Sequence, residues 1–291
     1  MNLRMVVRDC LFLNWALPAA ALPEPPSPLR YQIHPWRGCD YVFASALLFH
    51  QDSVRFSALP LLRIRYPQLT LGLAVLDDEG CPSVLVQKLL LPAWMAPGVR
   101  LVTGQPAAGA HLDFPRPSRE TDADSWQWRA RAGGTLSVRA WLDSPRVGEG
   151  PRIGSWEETV RYFQERPRGY AEVGGELQRM DASQRSAAVW PLRAELDGSD
   201  LLPKLLPLTL PAPEREAGTR QEALPWPALH SSWLAPEMPL SFSVEVVPAA
   251  PVVSRMPHPA AGRVTSPALR ADALEPVGAG EGAAEARRAA C

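Results

Sequence analysis

Residues 68–94 read QLTLGLAVLDDEGCPSVLVQKLLLPAW. Two apolar segments, Leu69–Leu76 and Val84–Leu91, flank a polar connection at 77–80 with the sequence DDEG. Each segment has the length of a strand, and an Asp/Gly turn between two such segments predicts a β-hairpin. Because apolar residues fill nearly every position, both faces of the hairpin should be covered by other parts of the chain. The stretch therefore belongs at the centre of a sheet or barrel.

Further strand patterns precede this hairpin. Val6–Trp15 is mostly apolar, Leu29–His34 alternates apolar and polar residues, and Tyr41–His50 is a longer apolar segment. The proline-rich segment Pro18–Pro28 between the first two excludes an ordinary helix or a central strand. In Ser53–Ile64 and just beyond it, prolines limit the chain to edge or loop structure before the hairpin begins.

A second hairpin follows downstream. Trp126–Arg131 and Thr135–Leu142 alternate apolar and polar residues and are joined by a turn of sequence AGG at 132–134. This alternation predicts one core face and one wetter face. Further short strand candidates are Val99–Val102, Ala110–Phe114, Gly169–Val173, Glu176–Met180 and Ala187–Leu196.

One helix is well marked. Ser155 is a natural N-cap, and the next turn carries Glu157 and Glu158, where the helix dipole favours negative charge. Trp156, Val160 and Phe163 repeat at helical spacing and give one buried stripe, and Pro167 ends the helix.

The composition changes near residue 205. Residues 206–291 are rich in proline and alanine, which predicts a disordered low-complexity tail after a folded domain at 1–205. Within the tail only Leu240–Val247 resembles a strand. Many short strands with one clear helix predict a mainly β fold with minor α, an antiparallel barrel or sandwich.

Charge and cysteine usage exclude several classes of function. The 30 basic and 31 acidic residues give a net charge of −1, which argues against a nucleic-acid partner. None of the four cysteines falls in a CxxC pair, so we expect no metal site and no cofactor. No apolar run is long enough for a membrane span, and the N-terminus lacks the features of a signal peptide. We therefore expect a cytoplasmic protein without a membrane partner, and the oligomeric state stays open.

An ordered set of segments resembles an uncharacterised bacterial family, the domain of unknown function 2071. The set begins with RDCLFLNW at 8–15 and the proline-rich stretch after it. It continues with the strand–Gly–strand unit at 31–49, the hairpin at 68–92, residues 126–142, the helix from GSWE at 154–157 through 166, and VWPL at 189–192. The resemblance covers about residues 5–200. That family is similar in fold to acetoacetate decarboxylase, which implies an antiparallel β-barrel around a small cavity.

The sequence departs from the decarboxylase pattern at its reactive lysine. In that pattern a lysine pair follows an aromatic–Pro step after a barrel strand, and one lysine forms a Schiff base. The matching step here is Leu91-Pro92, and the next residues are Ala93 and Trp94. The resemblance thus implies a barrel and a pocket but removes the known reaction, so whether the protein is an enzyme stays open.

A few residues are candidates for chemistry in such a pocket. Lys88 is a weak candidate for a displaced Schiff-base lysine, since burial would lower its pKa and make the amine nucleophilic. The alternative is a lysine whose stem packs while its amine reaches water. Glu165, next to Arg166 at the end of the helix, is a candidate to reach the barrel mouth. Glu172 is a further weak catalytic candidate.

The expected ligand-binding residues are Lys88, Trp94, Arg100, Trp126 and Trp128. Three functions follow from these patterns. The first is a barrel that binds a small molecule, and the second is an enzyme acting on a small keto or carboxylic acid. The third is an interaction scaffold that uses the proline-rich tail.

Overall fold

The chain is mainly β. The computed structural model describes residues 2–56, 59–117, 124–184, 187–206, 208 and 227–247. In this part of the chain the strands are β1 (Asn2–Pro18), β2 (Arg30–Tyr31), β3 (Ile33–Trp36), β4 (Cys39–Phe56), β5 (Leu59–Leu76), β6 (Pro82–Pro92), β7 (Ala107–Asp113), β8 (Trp126–Arg131), β9 (Thr135–Leu142), β10 (Arg168–Val173), β11 (Glu176–Gln184), β12 (Trp190–Ser199) and β13 (Ser231–Val247). The helices are α1 (Ala96–Thr103), α2 (Trp156–Gln164) and α3 (Leu202–Leu205), with a 3₁₀ turn at Ala19–Ala21.

The central hairpin is confirmed. β5 and β6 pair antiparallel from Leu69 opposite Leu90 to Leu76 opposite Pro82. Gly80 closes the turn with φ 77°, a left-handed conformation that glycine adopts without strain. The register shifts once, since Leu71 lies opposite Lys88 whereas Gly72 lies opposite Val86. Gln87 is therefore the extra residue of a β-bulge.

The strand pairings form a closed circuit. β13 pairs with β1, β1 with β4, β4 with β5, β5 with β6, β6 with β10, β10 with β11, and β11 again with β13. Most of these pairings are antiparallel, but β6 runs parallel to β10 and also to β7. The expected all-antiparallel arrangement is therefore wrong at these two pairings.

The largest apolar core lies against one face of β4, β5 and β6. From β5 it contains Leu69, Leu71 and Leu73, all at most 1% exposed. The hairpin of β8 and β9, which the sequence predicted with the correct bounds, contributes Trp128 and Val138 to the same core. The hairpin at 69–91 is thus covered on this face by other strands, as its composition predicted.

Helix α2 is confirmed together with its cap. The Ser155 side chain accepts a hydrogen bond from the Glu158 N–H at 3.2 Å, and the Glu158 carboxylate accepts one from the Ser155 N–H at 2.7 Å. This reciprocal capping box fixes the first turn. Val160 and Phe163 are buried in a second core with Trp156 packed against it.

The expected strand at Val99–Val102 is wrong, since these residues lie in helix α1. The local signals for a helix were present in the sequence. Pro97 occupies the first turn, where its missing N–H is harmless, and Gly104 ends the helix with φ 67°. The apolar run was too short to separate a strand from a helix by periodicity.

The expected end of the folded domain near residue 205 is also wrong. β13 pairs with β1, β11 and β12, and the compact unit spans Met1–Pro248. This strand contains two prolines, which made it resemble the tail. The pairing with β1 leaves out Pro236 and Asp9, so the missing N–H of Pro236 interrupts no regular pair. Residues 207, 209–226 and 248–291 of the expected disordered tail lie outside the described residues.

Candidate functional site

A cavity of about 270 Å³ lies on the opposite face of β4, β5 and β6 from the largest core. Alternate residues of β4 line it from Ser45 to Gln51, and alternate residues of β5 line it from Tyr66 to Ala74, where Leu73 also contributes. This period of two places one side of each strand in the apolar core and the other side at the cavity. The closed circuit of strands therefore has an interior that side chains do not fill.

The walls of the cavity are mostly apolar. Met95 just before α1 and Val99 on α1 line it, α2 contributes Phe163, and β1 and β13 contribute Phe12 and Met238. A concave, mainly apolar space with a few polar groups is the usual character of a small-molecule site.

Arg166 is the most unusual polar residue of this lining. The residue is 7% exposed and follows the C-terminal end of α2. Its Nε donates to the Tyr162 carbonyl at 2.9 Å, and its Nη1 donates to the Gln32 Oε1 at 2.6 Å. Its guanidinium carbon also lies 4.0 Å from the centre of the Tyr162 ring. These contacts hold the guanidinium in one position.

The third nitrogen of Arg166 has no partner in the part of the chain that the structure describes. Nη2 is buried and has no hydrogen-bond partner among the described residues. No carboxylate of a described residue forms an ion pair with Arg166, so the described groups around its charge are all neutral. An anion is the partner that a buried cation in this state favours.

Gln164 adds a second donor beside Arg166. It is the last residue of α2, is 3% exposed and lines the cavity. Its Oε1 accepts from the Ala187 N–H at 3.3 Å, whereas its Nε2 is buried without a hydrogen-bond partner in the described part of the chain. Two uncommitted N–H donors on residues of one lining, Gln164 and Arg166, suit a carboxylate, which accepts several hydrogen bonds.

The charge of Arg166 also acts on its aromatic neighbours. His34 lies 2.8 Å from the Tyr162 hydroxyl. Burial lowers the pKa of His34, and the positive charges of Arg166 and His230 lower it further. Burial raises the pKa of Tyr162, and Arg166 offsets this in part. The region around Arg166 thus favours groups that are neutral or negative.

A row of amide and hydroxyl groups lies farther along β4 and β5. The Gln51 Nε2 lies 3.5 Å from the Gln68 Oε1, and the Gln68 Nε2 donates to the Thr70 hydroxyl at 2.8 Å. Gln51 is 5% exposed, and its Oε1 is buried without a hydrogen-bond partner among the described residues. One polar atom of this row, the Gln51 Oε1, therefore lacks a hydrogen-bond partner among the described residues.

A buried ion pair fixes the start of β10 at the edge of the cavity. Arg168 lines the cavity, and its Nη1 donates to Asp77 at 2.5 Å and to Glu79 at 2.7 Å. The Tyr170 hydroxyl donates to the same Asp77 oxygen at 3.2 Å. Burial raises the pKa of Asp77, but the hydrogen bonds from Arg168, Cys81 and Tyr170 outweigh this, so the pKa lies below its usual value. Unlike Arg166, this arginine has its counter-ion.

The expected site residues do not converge on this cavity. Lys88 is half-buried and lies opposite Leu71, on the core face of the sheet, and does not line the cavity. Trp94 is 69% exposed in the turn before α1, and Arg100 is exposed on that helix. Trp126 and Trp128 are buried in the large core.

The carboxylate candidates also lie outside the cavity. Glu165 is exposed at the end of α2, while its neighbour Arg166 reaches the cavity. Glu172 is exposed on β10. No group of three His, Cys, Asp or Glu side chains that would hold a metal occurs among the described residues.

Some of the polar residues that do line the cavity have a weak signal in the amino-acid sequence. Gln68 and Thr70 alternate with Leu69 and Leu71, which marks a mixed face on an otherwise apolar strand. Gln51 lies one residue beyond the expected end of its strand, because β4 extends to Phe56. No sequence pattern shows that the guanidinium of Arg166 has no counter-ion among the described residues, since this follows only from its three-dimensional contacts.

Neither a protein-family model nor a curated protein sequence matches the chain. Among solved structures, an acetoacetate decarboxylase-like enzyme from Sphingomonas wittichii RW1 has a TM-score of 0.52 at 15% identity, covering 85% of this chain and 94% of that one. The enduracididine biosynthesis enzyme MppR complexed with pyruvate has a TM-score of 0.53 at 11% identity, covering 84% and 90%.

These similarities define the fold. The chain has an acetoacetate decarboxylase-like fold, as the sequence resemblance implied. Membership of family 2071 stays a prediction, since no family model supports it. None of the described helices is long and apolar enough to cross a membrane.

Proposed function

We propose that this protein binds a small organic acid with an apolar body inside the cavity, and that the carboxylate of the ligand pairs with Arg166. The observation that carries the proposal is the buried Nη2 of Arg166, which has no hydrogen-bond partner among the described residues. In this proposal the closed circuit of strands acts as a barrel around the ligand.

Energetics support an anionic ligand. A buried ion without a partner carries a desolvation penalty of several kcal/mol, which an opposite charge at hydrogen-bond distance offsets. Asp77 and Glu79 perform this role for Arg168, but no described residue performs it for Arg166. A ligand carboxylate that accepts from the Arg166 Nη2 and the Gln164 Nε2 would give each of these atoms a hydrogen-bond partner.

The chemical character of the lining favours binding over catalysis through a protein nucleophile. The described residues at the cavity include no lysine, histidine, cysteine, aspartate or glutamate. A Schiff base requires a lysine, and general acid–base catalysis most often uses histidine or a carboxylate. The phenol of Tyr66 is the most acidic group at the cavity, and burial raises its pKa to about 12. It is therefore a poor base at neutral pH.

A thermal-shift experiment on the full chain tests the proposal. Pyruvate is the first probe, since MppR has been observed in complex with it. Octanoate and 2-oxooctanoate add the apolar body that the walls of this cavity suit, and octanamide serves as the uncharged control. A ligand at a hundredfold excess over its Kd should raise the Tm by about 5–10 °C.

Two variants locate the binding site. Arg166→Gln should weaken octanoate binding about 10- to 100-fold, because a charge-assisted hydrogen bond is lost. Arg161→Gln removes an exposed arginine from the same helix and should leave binding unchanged. The proposal is wrong if none of the acids raises the Tm, or if both variants bind octanoate as the wild type does.

A further inference from the structure

The row of Gln51, Gln68 and Thr70 is a second polar feature of the cavity, independent of Arg166. All three side chains line the cavity, and Gln51 is 5% exposed. Leaving a buried polar atom unpaired is costly, so such atoms in folded proteins usually have a partner. The Gln51 Oε1 has none among the described residues.

The row and Arg166 lie at different ends of the cavity. The Arg166 Nη1 lies 3.5 Å from the Ser83 carbonyl, and Ser83 lies opposite Val75 on β5. Gln68 precedes Val75 on the same strand, and Gln51 lies two pairs beyond Gln68, opposite Tyr66. With a rise of 3.2–3.4 Å per residue, Gln68 lies about 23 Å and Gln51 about 30 Å from the Arg166 end, measured along β5.

The section between the two ends offers space and little polarity. Gly72 and Ser45 lie opposite each other in this section. Gly72 has no side chain, and the Ser45 hydroxyl already donates to the Asn14 Oδ1 at 2.7 Å. Leu47 and Phe49 follow on β4 toward Gln51, and both line the cavity. The lining therefore changes from a cationic end through an apolar middle to a neutral polar end.

We infer that the ligand is an elongated carboxylic acid that carries a neutral hydrogen-bonding group, a hydroxyl or an amide, at the end remote from its carboxylate. This inference rests on the proposed function, since the carboxylate pairs with Arg166. The remote group pairs with the Gln51 amide. A second charge does not suit this end, because the row contains only neutral side chains.

The order of donors within the row is compatible with either kind of neutral partner. As the row stands, Gln51 donates toward Gln68 and presents an acceptor to the ligand. In the reverse order the Thr70 hydroxyl donates to Gln68, and the oxygen and nitrogen of both glutamine side-chain amides exchange places. Gln51 then presents a donor to the ligand. A hydroxyl group matches both arrangements, since it donates and accepts. A terminal methyl group matches neither.

Calorimetric titration of the full chain with paired acids tests this inference. One series consists of ω-hydroxyalkanoic acids from hexanoic to hexadecanoic chain length, and the other consists of the plain alkanoic acids. In an apolar pocket the terminal hydroxyl weakens binding, because its desolvation is not compensated. With Gln51 as partner, the ω-hydroxy acid of matching length should bind about threefold to tenfold more tightly than the plain acid.

Variants of the row complete the test. Gln51→Met keeps the length of the side chain and should remove the preference for the hydroxyl. Plain acids should bind this variant at least as tightly as the wild type, because their terminal methyl group then meets an apolar side chain. Gln127→Met, on β8 and away from the cavity, is the matched control and should keep the preference. If Gln51→Met does not fold, Thr70→Val removes the far end of the row and should reduce the preference.

The outcomes separate this inference from the proposed function. If plain acids bind more tightly than ω-hydroxy acids at every length, or if the preference survives in Gln51→Met, the inference is wrong while the proposed function stands. If no acid of either series binds, both are wrong.

Discussion

The two faces of β5 differ in what they contact, an apolar core on one side and the candidate binding cavity on the other. Leu69, Leu71, Leu73 and Val75 face apolar cores and are at most 1% exposed. The alternate residues Gln68, Thr70, Gly72 and Ala74 line the cavity. On the first face large apolar side chains fill the space between layers, whereas small and polar side chains on the second face leave space open.

The contrast explains why this strand is apolar nearly throughout and yet adjoins a candidate site. Close packing on the core face holds the strand in one register. A strand held in this way keeps the polar groups of its other face in defined positions, although the cavity on that face leaves them loosely packed. Changes on the core face should therefore affect folding, and changes on the cavity face should affect binding.

The largest expected effect is a leucine truncation on the core face. Leu71→Ala should lower the free energy of unfolding by about 2–5 kcal/mol, because it creates a void in a packed core. Leu47→Ala is the same change at the cavity, where no new enclosed void forms, and should cost less than about 2 kcal/mol. Urea denaturation measures both values. Equal losses would contradict the distinction between the two faces.

The next effect concerns Gly72, where the cavity needs space. A Cβ atom at this position would lie 2.5 Å from the Val84 Cγ1, and the short valine side chain cannot move away without strain. Gly72→Ala should therefore destabilise the fold by about 1–3 kcal/mol.

A second substitution checks the cause of this loss. Val84→Ala in the Gly72→Ala background removes the clashing atom and should restore part of the lost stability. If the stability that the double variant loses relative to the wild type equals the sum of the two single losses, steric conflict at this contact is not the cause.

A smaller effect should appear on acidification, through the ion pair that links the hairpin turn to β10. The folded state lowers the pKa of Asp77 below its unfolded value of about 3.9. The pair with Arg168 thus stabilises the fold above that value, and its contribution is lost as the pH falls through the folded pKa.

Unfolding curves measured across acidic pH test this expectation. Asp77→Asn should be less stable than the wild type at neutral pH, and its free energy of unfolding should fall less steeply below about pH 4. The exposed Asp197→Asn serves as the control. Parallel curves for the wild type and Asp77→Asn would exclude this role for Asp77.

The smallest expected effect belongs to Lys88. This lysine lies on the core face of the sheet and does not line the cavity. Lys88→Met keeps the packed stem, so it should change the free energy of unfolding by at most about 0.5 kcal/mol and leave octanoate affinity unchanged. A loss of octanoate binding in this variant would show that Lys88 contributes to the binding site and would favour the enzyme hypothesis.

Local chemistry made much of the fold predictable. The turn at 77–80, the hairpin with Gly133 and Gly134, and the cap at Ser155 are each specified within a few residues, and all three are confirmed. Of β13 only Leu240–Val247 was noted as a possible strand, and it was assigned to the tail because its flanks are rich in proline. Only its pairing with β1 shows that these prolines are tolerated.

The candidate site was less predictable than the fold. Arg166 was noted only as the neighbour of Glu165, and the chain then places one of these adjacent residues at the cavity and the other at the surface. Trp126 and Trp128 were expected at a pocket because they share a face, but that face belongs to the core. Sequence periodicity indicates which residues share a face, whereas the packing of distant strands decides what each face contacts.

The most direct test of the central claim is a thermodynamic cycle at Arg166. Calorimetry would compare octanoate with octanamide, each with the wild type and with Arg166→Gln. If the guanidinium binds the carboxylate, the wild type should prefer the acid by about 1.5–3 kcal/mol, and the variant should show no preference. An equal preference in both proteins would show that the carboxylate binds elsewhere and would contradict the account.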